Sequence, residues 1–296
     1  IVFSNNLMWL YFFWEITTLC SFLLIGYTGT EEANNNAFRA LFLNLVGGLA
    51  FALALVYLAR YTGILELNKM LVGDKVLMLI PAVLICFSGL TKSAQMPFSS
   101  WLLGAMVAPT PTSALLHSST MVKAGVYVII RFAPVLNDTA AGFMVALVGG
   151  FTFLVASLIA IAQSDAKKVL AYSTIANLGL IVVCGGIGTY ESVWAAVLLI
   201  IFHAVAKSLL FLCVGTVEHC IGSRNIEAMH GLIKKMPKLA TMMIVGIAGM
   251  FLAPFGMLIS KWAALKAIVD TNPVLTIFIA FGSAATLFFW TKWMGK

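Results

Sequence analysis

Nine apolar runs constrain what this chain can fold into more than any other feature. They cover about 7–27, 38–59, 76–107, 111–133, 140–162, 169–188, 192–218, 238–269 and 274–291. A helix needs roughly 20 apolar residues to cross the hydrocarbon core, so each run reads as a spanning helix. Connections are short except 60–75 and 219–237, with no soluble domain, low-complexity segment or flexible linker. Charged residues make up only 10% of the chain, against about 25% in a soluble domain. The expected fold class is an all-α membrane protein, a polytopic helical bundle forming one transmembrane domain over 1–296. No charged n-region, short apolar stretch and small-residue cleavage site open the chain, so no signal peptide is read. Residue 1 is Ile and position 7 already lies in a run. The sequence reads as a fragment of a longer protein, cut at both ends.

The third and eighth runs are each 32 residues long. A straight helix of that length spans about 48 Å, beyond the roughly 30 Å hydrocarbon core. Each carries a Pro-Phe pair, at 97–98 and 254–255. Proline kinks are the plain reading. Two matching breaks separated by four intact runs point further, to two discontinuous helices of opposite direction, the pattern of inverted-repeat transporters. Pro97 and Pro254 are the expected helix breaks. Loop charge sets the orientation. Arg39, Lys167, Lys168, Arg224, Lys234, Lys235, Lys238, Lys292 and Lys296 fall on one side, and Arg60, Lys69, Lys75 and Arg131 on the other. The basic side is expected to be cytoplasmic. The net charge of +7 is thereby explained without nucleic acid.

Ionisable groups inside apolar runs mark function by default, because each costs about 2.5–3.5 kcal/mol on insertion scales. Glu15 sits mid-run in YFFWEITTLC, where it needs a proton or a cation partner. Lys92 precedes Pro97 by five residues and is its expected partner, the two forming a gate that movement of either would switch. The plain alternatives are a structural salt bridge for Glu15 and interfacial snorkelling for Lys92. His117 and Lys123 share the fourth run, about 120° apart on a continuous helix. They can border one cavity with Ser113, Ser118, Ser119 and Thr120. His203 and Lys207, spaced i,i+4 in IIFHAVAKSLLF, face one way. Lys261 follows Pro254 by seven residues, while Lys266 lies near the run's end and is free to snorkel. In QSDAKKVLAYS, residues Asp165, Lys167 and Lys168 read as solvated loop charge, with a structural ion pair as the other possibility.

What is missing narrows the field. There is no GxxxxGK[ST], GxGxxG or HExxH motif. The five cysteines lack CxxC spacing and read as small core hydrophobes. No cofactor, metal or redox site is expected in this chain.

The stretches TKSAQMPFSSWLLGAMVAPTPTSALLHSSTMVKAGVY, SDAKKVLAYSTIANLG and FHAVAKSLLFL resemble the antiporter-like proton-conducting membrane subunits. That family includes the large membrane-arm subunits of complex I (NADH:quinone oxidoreductase), the large Mrp antiporter subunits and their relatives in energy-converting hydrogenases. The resemblance covers nearly the whole chain. It implies about fourteen core helices with two inverted five-helix repeats, of which this chain holds helices five to thirteen. Residues 1–133 would be a partial first repeat lacking its opening helix, and 140–291 the second. It further implies a carboxylate at Glu15, its partner at Lys92, connecting residues at His117, Lys123, His203 and Lys207, and the exit-side residue at Lys261. Trp262 after Lys261 resembles the hydrogenase and Mrp branches more than the large distal complex I subunit.

The expected function is therefore a proton-translocating subunit of a redox-driven membrane complex, of complex I or hydrogenase type. Its partners would be other membrane subunits, with a peripheral redox arm and lipid, in a prokaryotic cytoplasmic membrane. The alternative is an Mrp-type sodium/proton antiporter subunit. A remote alternative is a membrane haem protein using His117 and His203 as axial ligands.

Overall fold

A computed structural model describes residues 1–252 and 256–296 of the chain. The elements in order are α1 (Leu7–Ile25), α2 (Glu31–Tyr61), α3 (Leu67–Val72), α4 (Lys75–Lys92), α5 (Ser100–Gly104), α6 (Thr110–Ser118), α7 (Met121–Arg131), α8 (Ala133–Leu136), α9 (Ala140–Ile161), α10 (Ala166–Ile187), α11 (Tyr190–Ile221), α12 (Leu232–Lys235), α13 (Pro237–Phe251), α14 (Met257–Val269) and α15 (Pro273–Met294). Among the described residues, eight helical segments are long and apolar enough to cross a membrane, and α13 is a shorter apolar helix. The chain is an integral, multi-pass membrane protein.

Polar residues between the runs start the helices. The first backbone N–H groups of a helix have no intrahelical acceptor, and Asn, Asp or Thr at the N-cap supplies one. Asn6 caps α1, Thr30 caps α2, Asp74 caps α4, Thr139 caps α9, Asp165 caps α10, Thr189 caps α11 and Asn272 caps α15. Thr189→Ala is expected to lower stability by about 1 kcal/mol, visible as a small drop in Tm of the purified protein.

The long third run is interrupted as expected, though earlier than Pro97. Helix α4 ends at Lys92, and helix resumes only with α5 at Ser100. The eighth run divides into α13 and α14; Pro254 itself lies outside the described residues. The fourth run departs from expectation. It breaks at Ser119–Thr120 into α6 and α7, where a run of hydroxyl side chains competes for backbone hydrogen bonds.

Two isolated bridges show how the halves are related. Asn6 pairs with Glu66, and Asp165 with Asn225. In each case the residue before a helix is tied to the loop that leads to an interrupted helix. One bridge lies at the start of α1 and the other at the start of α10. The same interval that carries Asn6 to Asp165 carries the cap Thr30 to the cap Thr189 and Glu66 to Asn225. The α1–α2–α4 and α10–α11–α13 units thus share one spacing of caps and bridges.

Helix α10 is the centre of the bundle, with every residue buried except Lys168, Tyr172 and Ile187. It packs on α9 backbone to backbone. A Cβ on Gly149 would lie 2.6 Å from the Gly179 carbonyl oxygen and 2.8 Å from the Val183 nitrogen. Helices α4 and α7 meet in the same way, a Cβ on Gly89 falling 2.8 Å from the Gly125 carbonyl oxygen. Small residues at crossings are how helices approach closely when lipid supplies no hydrophobic drive.

Candidate ion-translocation site

Lys92 ends α4 fully buried. Its ammonium donates to the Trp14 carbonyl at 2.7 Å, to Thr17 Oγ1 at 2.8 Å and to Thr18 Oγ1 at 3.0 Å. The Trp14 ring lies beneath it, 4.2 Å from Nζ to the ring centroid. Three donors thus meet three oxygens on one face of α1, since Trp14, Thr17 and Thr18 share i,i+3,i+4 spacing. The expected Glu15–Lys92 ion pair is not formed: no ion pair among the described residues includes either. The Glu15 carboxylate instead lies over α2, in space left by Gly48, and its Oε1 is buried without a hydrogen-bond partner. Glu15 and the residues that hold Lys92 share one turn of α1, yet the two charged groups form no ion pair. Thr18→Val removes one charge-assisted bond, and these are worth about 1.5–3 kcal/mol. It is expected to loosen Lys92 and to slow any transport that depends on it, as read by flux in vesicles.

The remaining expected residues converge between α6, α7, α10, α11 and α14. His203 and Lys207 on α11 are both fully buried. His203 Nδ1 lies 2.9 Å from Lys123 Nζ on α7, so this nitrogen accepts when the lysine is charged. Its Nε2 has no partner. Lys207 donates to the Leu170 carbonyl at 2.9 Å and to Ser173 Oγ at 2.8 Å, both on α10, with the Trp290 ring centroid 5.1 Å away. His117 is buried with neither ring nitrogen bonded, and its ring packs on Phe211 of α11, centroids 5.0 Å apart. The break at Ser119–Thr120 places Lys123 on a separate helix, so the 120° expected for a continuous helix does not apply. Lys261 on α14 donates to Thr286 Oγ1 on α15 at 2.9 Å. His203 lies within charge-interaction range of Lys123, Lys207, His117 and Lys261.

Lys167 is not solvated loop charge. It is 1% exposed and pairs with Glu218 Oε2 at 3.0 Å, while Arg224 pairs with the other carboxylate oxygen. Sequence reasoning singles out neither Glu218 nor the Trp14, Thr17, Thr18, Ser173 and Thr286 cradles. The threonines carry a signal that could have found them, as polar residues at helical spacing inside an apolar run.

Buried lysines and histidines thus lie inside a helical bundle whose third, fourth and eighth runs are interrupted. That combination defines an antiporter-like membrane protein. The transmembrane family described as NADH:quinone oxidoreductase/Mrp antiporter matches residues 4–288, and the chain belongs to it. A probable K(+)/H(+) antiporter subunit from Rhizobium meliloti (strain 1021) is 41% identical over 288 residues, covering 94% of this chain and 29% of the relative. A Na(+)/H(+) antiporter subunit from Bacillus subtilis (strain 168) is 40% identical over 280 residues, covering 88% of this chain and 35% of the relative. The chain spans about a third of the length of these relatives. Among solved structures, the Mrp complex from Dietzia sp. DQ12-45-1b superposes with a TM-score of 0.92 at 34% identity, over 99% of this chain and 34% of that one. The membrane-bound sulfane sulfur reductase, an archaeal respiratory membrane complex, gives 0.91 at 24% identity over 98% of this chain and 62% of that one, and shows the fold alone.

Proposed function

We propose that this chain is the proton-conducting core of an Mrp-type cation/proton antiporter subunit, working with other membrane subunits in a bacterial cytoplasmic membrane. One observation carries the reading. Lys92, Lys123, Lys207 and Lys261 are all buried, and none takes part in an ion pair among the described residues. Charged lysines held by hydroxyls, carbonyls and an imidazole nitrogen can give up and regain protons without breaking a carboxylate bond. Glu15 lies in the same turn of α1 as the Lys92 cradle, between Trp14 and Thr17, so a small displacement of α1 against α4 would join or part the two charges. That makes the pair a gate closed by contact and opened by separation. From there His117, Lys123, His203 and Lys207 would relay charge towards Lys261. Each transfer needs hydrogen-bond reach or one intervening water.

A redox-driven complex would use the same relay and differ only in what shifts the gate. The names of the relatives favour the antiporter branch, and sodium or potassium dependence of proton flux separates the two. Glu15→Gln in the intact complex is expected to abolish cation-driven proton flux in vesicles while the subunits still co-purify. Full flux in that variant would overturn the gate. Loss of the assembled complex would assign Glu15 a structural role.

A further inference from the structure

We propose that the cavity at the basic end of α11 is the proton inlet of this relay, and that Glu218 is the group that loads it. The inference rests on the proton-conducting reading above and adds where the proton enters. An open cavity of about 550 Å³ lies there, lined among others by Thr110, Lys167, Gly215, Glu218, His219 and Arg224. Glu218 sits on its wall, its side chain 24% exposed, with one oxygen on the buried Lys167 and the other on Arg224. Burying a lysine beside a cavity for architecture alone is a costly arrangement, since ion pairs taken out of water gain little net stability.

The inner side of the cavity leads to the relay. Thr110 Oγ1 donates to Glu218 Oε2 at 3.4 Å. Thr110, Ser113 and His117 fall at i, i+3 and i+7 of α6, on one face of the helix. Ser113 and His117 are fully buried. That face packs on α11. Gly215 leaves room for Thr110, and Phe211 lies under the His117 ring. From Glu218 to Phe211 the axial rise is roughly 10 Å, and the two hydroxyls divide it. His117 in turn lies within charge range of Lys207.

The repeat relation argues that this cluster is more than scaffolding. The interval that maps Thr30 onto Thr189 maps Met8 onto Lys167, Ala59 onto Glu218 and Leu65 onto Arg224. The three matching positions of the other unit carry no charge, although Arg60 stands beside Ala59 in the last turn of α2. A buried lysine paired with a carboxylate is found at this end and not at the matching positions.

In the step itself, an O–H bond forms on Glu218 as one breaks in a hydronium ion of the aqueous face, and Lys167 loses its anionic partner. That O–H bond then breaks as Thr110 Oγ1 takes the proton and releases its own inward to Ser113, each hydroxyl forming one O–H bond and breaking another, until an N–H bond forms on His117 and the carboxylate regains its pair with Lys167. The ionisable groups around Glu218 are Lys167 and Asp165 on α10 and its N-cap, His219 on α11 and Arg224 in the following loop.

The test is cation-driven proton flux in right-side-out vesicles carrying the complete complex, where protons enter from the basic side, with Glu218→Gln, Glu218→Asp, Thr110→Val and Lys207→Ala compared. A positioned proton-transfer group contributes about 10²–10⁴-fold. Glu218→Gln is therefore expected to slow flux at least about tenfold and to flatten its dependence on the pH of the basic side. Glu218→Asp should restore most of both, and Thr110→Val should slow flux without changing complex yield. Normal rate and pH profile in Glu218→Gln, with flux lost in Lys207→Ala, would overturn the inlet and leave the relay standing. Normal flux in both would overturn the relay itself. If Glu218→Gln fails to assemble, wild-type rates and pH profiles in both Glu218→Asp and Thr110→Val overturn the inlet.

Discussion

Lys207→Ala is expected to abolish proton flux while leaving the complex assembled, with a loss of at least about a hundredfold. Lys207 is fully buried where α10 and α11 meet, and its ammonium holds the Leu170 carbonyl and Ser173 Oγ. Truncation removes the charge together with the group that joins His117 and His203 to the Lys261 side of the bundle. The two oxygens left behind carry no net charge, and one is a helix carbonyl already engaged in the α10 ladder. Stability should therefore fall by no more than about 1–3 kcal/mol. Lys207→Arg retains charge but cannot release its proton at any working pH, so it should be as inactive as alanine. Activity in the arginine variant would show that Lys207 supplies a fixed charge and passes no proton. Flux in vesicles and yield of the purified complex separate these outcomes.

Gly149→Leu is expected to prevent accumulation of folded protein. A Cβ at this position meets backbone atoms of α10, the Gly179 carbonyl oxygen at 2.6 Å and the Val183 nitrogen at 2.8 Å. A flexible side chain could swing aside from such a contact; backbone in the middle of a helix cannot. The two helices must separate, and Gly142 against Gly186 is then pulled apart one crossing further on. Overpacking a tight core costs about 1–3 kcal/mol for added methylenes, and occasionally more. Here the whole α9–α10 contact is forfeited. Gly149→Ala is the milder test. It should lower Tm and yield, and a wild-type yield for Gly149→Leu would contradict the crossing described here.

Much of this organisation is legible in the sequence because the membrane allows few solutions. Most apolar runs predict the spanning helices to within a few residues, though α2 begins at Glu31, ahead of the run read from 38, and the third and eighth divide as their length requires. The extra break at Ser119–Thr120 is not legible. A 23-residue apolar run with prolines only at its start fits a continuous helix, and what interrupts it is a hydroxyl cluster whose effect depends on the packing around it. The same limit applies to the charges. A lone Lys in an apolar run announces that something must hold it, as Lys92, Lys123, Lys207 and Lys261 do. It does not announce what holds it, because the acceptors lie 78 residues away at Trp14 for Lys92 and 37 away at Leu170 for Lys207. The natural guess from sequence, that Lys92 bonds Glu15, goes to the nearest opposite charge. The fold answers with threonines and a carbonyl on the same turn of α1. Lys167 misleads for a related reason. Its neighbours Asp165 and Lys168 are polar, so the segment reads as wet, while its partner Glu218 is 51 positions along the chain.

The enclosure of α10 bears on how the chain comes to be in the membrane at all. A helix whose every face is claimed by protein has no face intended for lipid, and this one would offer lipid Lys167, Ser173, Thr174 and Asn177 until neighbours arrive. Its predecessor α9 is inserted before it and brings the glycine crossing, whereas α11, which carries Glu218 for Lys167, is synthesised after it. During biogenesis α10 is thus a half-dressed segment, dependent on the translocon or a chaperone for the time it takes to make 34 more residues, from Ile187 to Ile221. Truncations ending between α10 and α11 should be recognised and degraded. Those that include α11 have the first complete shelter for the bundle's centre.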